Sequence, residues 1–353
     1  TACAGRVTGM EQQDILSMTL PELQAAVQEL GEPKFRAKQI FNWLHQKRVT
    51  DFSEMTTLSL PFRERLASDF CINRLKIAKR LASSVDDTVK YLYELPDGNY
   101  VETVCMQYHH GTSLCISTQV GCRMGCRFCA SAIAGFVRNL TPAEMLLQIY
   151  ETERAQNCKI SSLVLMGIGE PLDNFDNVLR FLQLLSDPNG YGMSLRHVTV
   201  STCGVVPKIL ELAEQRLGLT LSVSLHCPND AGRSAIMPIN RSYPIDVLLD
   251  ACQTYFEKTG RRVTFEYAVM DQVNSAEQDA AALAERLKGL HAHVNLIPIN
   301  PVKERNFHTL KKTVLQFQKT LERYGIPATI RRTLGSDIEA ACGQLRRDAI
   351  QQT

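Results

Sequence analysis

The feature that most constrains the fold of this chain is the alternation of strand-like and helical segments after residue 160. The strand-like runs cover residues 162–166, 197–201, 220–225, 263–269, 293–298 and 328–332, and the helical stretches cover 177–185, 207–215, 245–258, 275–287 and 311–324. Because a strand–helix–strand unit places its two strands parallel in one sheet, this pattern predicts an α/β fold with a parallel sheet closed or curved into a barrel. Functional groups in such barrels lie at the carboxyl ends of the strands.

The part of the chain before this region does not alternate between strands and helices. Residues 10–75 have a helical apolar pattern, and two strand-like runs at 89–95 and 99–104 flank the turn signal Pro96-Asp-Gly98, which predicts a β-hairpin. The helical region carries a local group of basic side chains: Lys34, Arg36, Lys38, Lys47 and Arg48. A solvated helix face and an RNA-facing patch explain this group equally well.

Composition limits the class of protein. With 353 residues, 44% hydrophobic and 22% charged, the chain has the composition of a soluble globular protein, and it contains no apolar stretch near the ~18 residues of a membrane span. A net charge of +2 excludes a polycation, so nucleic-acid binding would need local patches. Because residues 1–9 show no secretory signal, we expect a cytoplasmic protein, in which the twelve cysteines are metal-binding, catalytic or buried thiols rather than a disulfide framework.

Three cysteines with the spacing C-x3-C-x2-C, Cys122, Cys126 and Cys129, follow a strand-like run at 114–120. Thiolates are soft ligands that suit zinc and iron–sulfur clusters, and a structural zinc site needs four protein ligands. No fourth cysteine or histidine lies nearby in the sequence, so the spacing favours a metal centre with one position open to substrate. A zinc site completed from elsewhere in the chain, or a set of buried thiols, remains possible on the residues alone.

Polar residues follow the predicted strands where a cofactor could be held. Gly169-Glu170-Pro171 follows the strand at 162–166 and offers a carboxylate beside flexible backbone, and hydroxyl, imidazole and amide groups follow later strands. These later groups are Ser201, Ser224, His226 and Asn300. Two further cysteines stand out, Cys115 on the strand that enters the triad and Cys342 in a segment with small neighbours near the C-terminus.

Taken together, these motifs resemble the RlmN/Cfr family of radical S-adenosylmethionine (SAM) RNA methyltransferases over residues 12–345. The resemblance rests on Val101-Glu102-Thr103, Cys115, the cysteine triad, Gly169-Glu170-Pro171, Ser201-Thr202, Ser224-Leu225-His226, Asn300-Pro301 and the segment Asp337 to Leu345 that contains Cys342. It implies a partial (βα)6 radical-SAM barrel with a small N-terminal helical domain and a β-hairpin linker. Gly169–Pro171 and the segment 334–338 are similar to the RlmN branch.

The resemblance also implies a mechanism that uses two SAM molecules per turnover. The three triad cysteines hold one 4Fe-4S cluster. Cys342 takes a methyl group from the first SAM, a 5′-deoxyadenosyl radical from the second removes a hydrogen from that methyl group, and the resulting carbon radical adds to adenosine. Glu102 accepts a proton, and Cys115 attacks the sulfur of Cys342, which releases the RNA and leaves a disulfide that must be reduced. The residues expected to hold SAM are Gly169, Glu170, Ser201, Ser224, Leu225, His226 and Asn300.

The expected product is adenosine methylated at carbon 2 in 23S rRNA, with the tRNA anticodon loop as a possible second substrate. We expect an electron donor such as flavodoxin or ferredoxin, no membrane association and a monomer. The predicted domains are an extension or cloning remnant at 1–9, a helical RNA-binding accessory domain at 10–75, a linker with a β-hairpin at 76–110, the barrel with the Cys342 loop at 111–345 and a tail at 346–353.

Three other functions compete with this one. A Cfr-type enzyme would methylate carbon 8 and confer antibiotic resistance. An enzyme that generates a glycyl radical on another protein would need the triad but neither Cys115 nor Cys342. A non-catalytic RNA-binding protein with a structural zinc site would tolerate the loss of Cys342.

Overall fold

The computed structural model describes residues 12–299, 307–338 and 346. Its N-terminal part packs three helices, and two short parallel strands pair its ends. These elements are β1 (Gln13–Asp14), α1 (Leu20–Glu29), α2 (Phe35–His45), α3 (Leu60–Asp69) and β2 (Phe70–Cys71). The helical prediction for 10–75 is therefore confirmed over its described residues.

Three antiparallel strands follow: β3 (Lys76–Ala82), β4 (Val89–Glu94) and β5 (Tyr100–Tyr108). The β4–β5 pair is the hairpin predicted around Pro96-Asp-Gly98. β5 in turn pairs antiparallel with the first barrel strand, β6 (Gly111–Cys115). The segment predicted as a linker thus contributes strands to the same sheet as the barrel, which matters for the site described below.

The remaining strands complete a ten-stranded sheet in the order β14-β13-β12-β11-β10-β9-β6-β5-β4-β3. Every neighbouring pair from β6 to β14 is parallel. The barrel strands after β6 are β9 (Ile160–Leu165), β10 (Val198–Thr202), β11 (Thr220–Ser224), β12 (Val263–Val269), β13 (Ala292–Pro298) and β14 (Ala328–Ile330). The sheet is curved and, over the described residues, open between its β3 and β14 edges, as a partial barrel requires.

Helices connect these parallel strands. They are α4 (Pro142–Gln156), α5 (Phe175–Ser186), α6 (Val206–Glu214), α7 (Asp230–Ile236), α8 (Ile245–Thr259), α9 (Glu277–Leu287) and α10 (Lys311–Arg323). The short helix α7 was not predicted, because seven residues are too few to show a helical period. None of the helices that the structure describes is long and apolar enough to cross a membrane.

The predicted strand at 114–120 is wrong in one respect, because the structure divides it in two. β6 ends at Cys115, and a separate strand β7 (Gln119–Gly121) pairs antiparallel with β8 (Phe136–Asn139). Ser117 causes the break: its hydroxyl donates to the Glu102 carbonyl at 2.7 Å and accepts from the Ile168 N–H at 3.1 Å. The small β7–β8 ladder places the cysteine loop above the end of the barrel.

Helix α4 joins the N-terminal helices to the barrel and is buried along most of its length. In this interface His45 Nδ1 lies 2.9 Å from the Tyr150 hydroxyl, and Arg48 pairs with the buried Glu153 carboxylate at 2.5 Å. The polar side chains on α4 are therefore satisfied by partners from both sides, so this helix supports the sheet beneath the site rather than facing solvent.

Candidate active site

A cavity of about 360 Å³ lies at the carboxyl ends of the parallel strands, where the fold predicts chemistry. Most of the site residues predicted from the sequence line it, although they come from strands far apart in the chain. They are Cys115, Cys122, Cys126, Cys129, Gly169, Glu170, Ser201, Ser224 and His226. Asn300 and Cys342 lie outside the described residues.

The cysteine loop is held in place by backbone hydrogen bonds to neighbouring segments. Gly121 has a φ of +80°, and a Cβ there would lie 1.7 Å from the Gly135 carbonyl oxygen, so only glycine allows the β7–β8 turn to close. The next amide, Cys122 N–H, donates to the same carbonyl at 3.1 Å. Further along, Arg127 N–H donates to the Ile236 carbonyl at 2.9 Å. The loop is thereby attached to the residue before β8 and to the last residue of α7.

The electrostatics of these thiols favour a bound cationic centre. Burial raises the pKa of Cys122 to about 12, and the neighbouring thiol of Cys129 adds to this effect. Burial and the two neighbouring thiols also raise the pKa of Cys126. Thiolates are the metal-binding form of cysteine, so the iron ions of a cluster would stabilise charges that this pocket otherwise disfavours.

The three thiols share one cavity without converging on one point. Among the residues that the structure describes, no three His, Cys, Asp or Glu side chains are placed as ligands of a single metal ion. In a cubane cluster each cysteine binds a different iron, so its ligands need to surround a cavity rather than meet at one atom. The arrangement of Cys122, Cys126 and Cys129 around the cavity fits that requirement.

Glu170 stands at the end of β9 with its carboxylate fixed in place. Its two oxygens accept from Cys203 N–H at 2.7 Å and from Leu172 N–H at 3.0 Å, while its own amide donates to Gln119 Oε1 at 2.8 Å. Burial raises the pKa of Glu170, and the two backbone donors oppose that shift. Gly169 has a φ of +108°, and a Cβ there would lie 2.6 Å from Gln119 Cβ, so glycine lets this loop approach β7 closely.

His226 is a neutral hydrogen-bonding group at the end of β11. Its Nδ1 accepts from Ala268 N–H at 2.9 Å, and burial lowers its pKa to about 3. The proton of the neutral ring is therefore on Nε2, which can donate to a ligand. Phe128, inside the cysteine motif, packs edge-on against this ring with centroids 4.8 Å apart. Ser224 lines the cavity nearby, whereas the Leu225 side chain packs into the main hydrophobic core.

Sequence analysis missed two buried charged residues that support the site. Arg233 on α7 donates to the Cys203 carbonyl at 2.7 Å and to the Ser224 carbonyl at 3.1 Å, and so ties together the ends of β10 and β11. Glu266 on β12 lines the cavity and accepts from Ser222 Oγ at 2.7 Å and Asn295 Nδ2 at 2.8 Å. Glu266 could have been identified from the sequence, because it is a carboxylate inside the apolar run 263–269. No sequence feature indicates the role of Arg233.

Cys115 and Glu102 lie on the side of the site built by β5 and β6. Cys115 is buried at the end of β6, where it lines the cavity together with Val104 and Met106. Because side chains alternate along a strand, Glu102 shares the face of β5 that carries Val104 and Met106. Its carboxylate lies 3.0 Å from Lys90 Nζ and accepts from Arg346 N–H at 2.8 Å.

A curved parallel sheet whose strand ends surround three cysteines at this spacing is the site of a radical SAM enzyme, and comparison with known proteins agrees. Residues 116–284 match the family model of the radical SAM superfamily, and residues 13–72 match the model described as "Ribosomal RNA large subunit methyltransferase N-terminal domain". The fold is also that of a solved radical SAM methyltransferase from Sphaerobacter thermophilus, with a TM-score of 0.90 and 40% identity, covering 94% of this chain and 98% of that one.

Two curated relatives make the assignment more specific. The chain is 50% identical to the "Probable dual-specificity RNA methyltransferase RlmN" of Lachnoclostridium phytofermentans, over 97% of both chains. It is 48% identical to the protein of the same description from Clostridium novyi, over 96% of this chain and 99% of that one. The chain belongs to the RlmN family of radical SAM RNA methyltransferases, and its cofactors are a 4Fe-4S cluster and SAM.

Proposed function

We propose that this enzyme methylates carbon 2 of adenosine in 23S rRNA and in the tRNA anticodon loop. The observation that carries the proposal is the position of Cys115, which lines the same cavity as the cluster cysteines. An SN2 methyltransferase has no use for such a thiol, because an electron-poor aromatic carbon cannot attack a sulfonium methyl group. A thiol that can release a covalently bound base, in contrast, must lie beside the reacting atoms. The dual-specificity description of the relatives supports both RNA substrates.

The residues that would hold the cofactors surround the cavity. Cys122, Cys126 and Cys129 would bind three irons, and the cluster with SAM supplies methyl groups and a 5′-deoxyadenosyl radical. Glu170, fixed by two backbone donors, presents a carboxylate that can accept from the amino group of SAM. The His226 Nε2–H and the hydroxyls of Ser201 and Ser224 can hydrogen-bond to its polar groups, and Asn300 completes the expected set together with Gly169 and the backbone of Leu225.

Two cysteines would act in successive steps of the transfer of the methyl carbon. The sulfur of Cys342 would carry the methyl group and form the covalent link to the base. The thiolate of Cys115 would then attack that sulfur and form a disulfide between the two residues. The carbon–sulfur bond would break with its electron pair left on the carbon, which takes up a proton to complete the methyl group on the base. Two reductants would complete the cycle in the cytoplasm. Flavodoxin or ferredoxin would reduce the cluster, and a cellular thiol system would reduce the disulfide.

Glu102 would accept the proton that leaves carbon 2 of the base. Glu102 is not among the described residues that line the cavity, but it shares the face of β5 that carries the lining residues Val104 and Met106, which supports this role. Arg331 and Arg332 line the cavity as well and provide cationic groups for RNA phosphates where the base enters. No observation on the described residues favours carbon 8 over carbon 2.

The test is mass spectrometry of nucleosides from 23S rRNA and tRNA after anaerobic incubation with the reconstituted enzyme, SAM and a reductant. We expect 2-methyladenosine from both RNAs. 8-Methyladenosine would assign the enzyme to the Cfr type. Cleavage of SAM without any methylated nucleoside would refute the substrate while leaving the cofactors assigned.

A further inference from the structure

The turn between β3 and β4 contacts the chain at Gly335 and Asp337, a few residues before Cys342. Asp337 Oδ1 accepts from the Ser83 hydroxyl at 2.7 Å, and its Oδ2 accepts from the Ser84 amide at 2.7 Å and from the Ser84 hydroxyl at 2.9 Å. Two residues earlier, the Gly335 amide donates to Asp86 Oδ2 at 2.9 Å. Four hydrogen bonds thus join the six-residue turn at 83–88 to a segment about 250 positions away.

Hydrogen bonds within the turn hold these donor and acceptor groups in position. The Ser83 hydroxyl also accepts from the amides of Val85 and Asp86, both at 3.1 Å, and Asp86 Oδ1 accepts from the Thr88 amide at 2.9 Å. These local bonds fix the turn without help from the segment it holds. The pKa of Asp337 is lowered to about 2, chiefly by the Ser83 hydroxyl, so Asp337 is an ionised acceptor at any physiological pH.

A second contact holds the chain after Cys342. The Arg346 amide donates to Glu102 Oε1 at 2.8 Å, and Glu102 is itself paired with the buried Lys90 at 3.0 Å. The first contact comes from the turn between β3 and β4, and the second comes from β5. β3, β4 and β5 are the antiparallel strands that extend the sheet of the parallel barrel. Cys342 lies between the two attachment points, five residues after Asp337 and four before Arg346.

We propose that these added strands are a two-point anchor for the Cys342 segment, and that Asp337 and Ser84 are positioning residues for the reaction. The proposal rests on the methyl-carrying role proposed for Cys342. In the first transfer, the sulfur of Cys342 bonds to the methyl carbon of SAM as the carbon–sulfonium bond breaks, and S-adenosylhomocysteine leaves. That displacement needs the thiolate, the methyl carbon and the sulfonium in line, and a misplacement of about 1 Å can lower such a rate about 100-fold. An anchor on both sides reduces that misplacement.

The experiment compares Asp337→Ala and Ser84→Ala with the wild-type holoenzyme. The initial rate of methylation of Cys342 by SAM is followed from the mass of the tryptic peptide that contains it. We expect a fall of about tenfold or more in Asp337→Ala and a smaller fall in Ser84→Ala, whose amide still donates. The double variant should be no slower than Asp337→Ala, because both changes remove the same contact.

Asp87→Ala is the matched control, because it removes an exposed carboxylate from the same turn that makes none of these bonds. Iron content, cluster absorbance and SAM affinity should equal those of the wild type in all variants, which separates positioning from damage to the cofactor site. If Asp337→Ala fails to fold, the test uses two other variants. These are Ser84→Ala alone and the double variant Ser83→Ala, Ser84→Ala, whose changes lie on a turn at the surface.

Equal methylation rates in Asp337→Ala, Ser84→Ala and Asp87→Ala would overturn the anchor. Wild-type enzyme in which Cys342 never gains a methyl group would instead overturn the proposed role of Cys342. The mass spectrum of the wild-type peptide alone therefore distinguishes failure of the anchor from failure of the role proposed for Cys342.

Discussion

The ammonium group of Lys90 lies 3.0 Å from the carboxylate of Glu102, and both side chains are buried, with 0% and 1% of their surface exposed. Loss of one member of such a pair leaves a buried charge without compensation, which costs about 3–5 kcal/mol. We therefore expect Lys90→Met to lower the free energy of unfolding by about that amount, as measured by urea denaturation. The double variant Lys90→Met, Glu102→Gln should recover part of the loss, because it removes both charges. A double variant less stable than Lys90→Met by the full cost of Glu102→Gln alone would show that the two charges are not coupled.

Loss of one triad cysteine should prevent cluster assembly. Cys126→Ser removes one of three thiolates, and we expect reconstituted protein to lose most of its iron and its visible absorbance while keeping the helical signal in far-ultraviolet circular dichroism. Cys252→Ala is the control, because that thiol is buried on α8 away from the cavity. Unchanged iron content in Cys126→Ser would refute its assignment as a ligand.

Replacement of Cys115 should trap the enzyme on its RNA. In the proposed mechanism, the covalent link between Cys342 and the base has no route to release without the Cys115 thiolate, so Cys115→Ala should accumulate an RNA–protein adduct that survives denaturing gel electrophoresis. Cys105→Ala is a suitable comparison, because Cys105 sits ten residues earlier on β5 and is absent from the described lining of the cavity. Free RNA alone, from a preparation that still cleaves SAM, would count against the resolving role.

His45 should make stability depend on pH. Burial lowers its pKa from 6.5 to about 4 in the folded protein, while the unfolded chain titrates near the ordinary value. Between these values the unfolded state binds more protons, so stability falls as the pH decreases from about 6.5 toward 4, with a slope approaching about 1.4 kcal/mol per pH unit. His45→Gln should lose this contribution. Urea denaturation of both proteins at pH 7 and pH 5 measures it, and equal pH dependence would contradict the assignment.

Much of the barrel could be predicted because its strands are local apolar runs. The strand predicted at 263–269 has the bounds of β12, and the predicted hairpin around Pro96-Asp-Gly98 is the β4–β5 pair. Short or polar elements could not be predicted in this way. β7 has three residues and α7 has seven, too few for either period to emerge, and Ser117 interrupts a run that reads as one strand.

Functional groups that lie close together in the chain could be identified from the amino-acid sequence. Cys122, Cys126 and Cys129 lie in one loop, and Glu170 and His226 could be identified because each lies within a few residues of the carboxyl end of a predicted strand. Their meeting around one cavity follows from that topology, since the carboxyl ends of parallel strands lie at one end of a barrel.

Contacts between residues far apart in the chain became visible only once the fold was known. The contact of Ser84 with Asp337 spans 253 positions, and the contact of Glu102 with Arg346 spans 244. Such contacts depend on strand order and register, and a shift of one residue would turn Glu102 and Lys90 to the opposite face of the sheet. Register is set by the packing of the whole sheet, which is why the contacts of Asp337 and Arg346 could not be identified before the strands were placed.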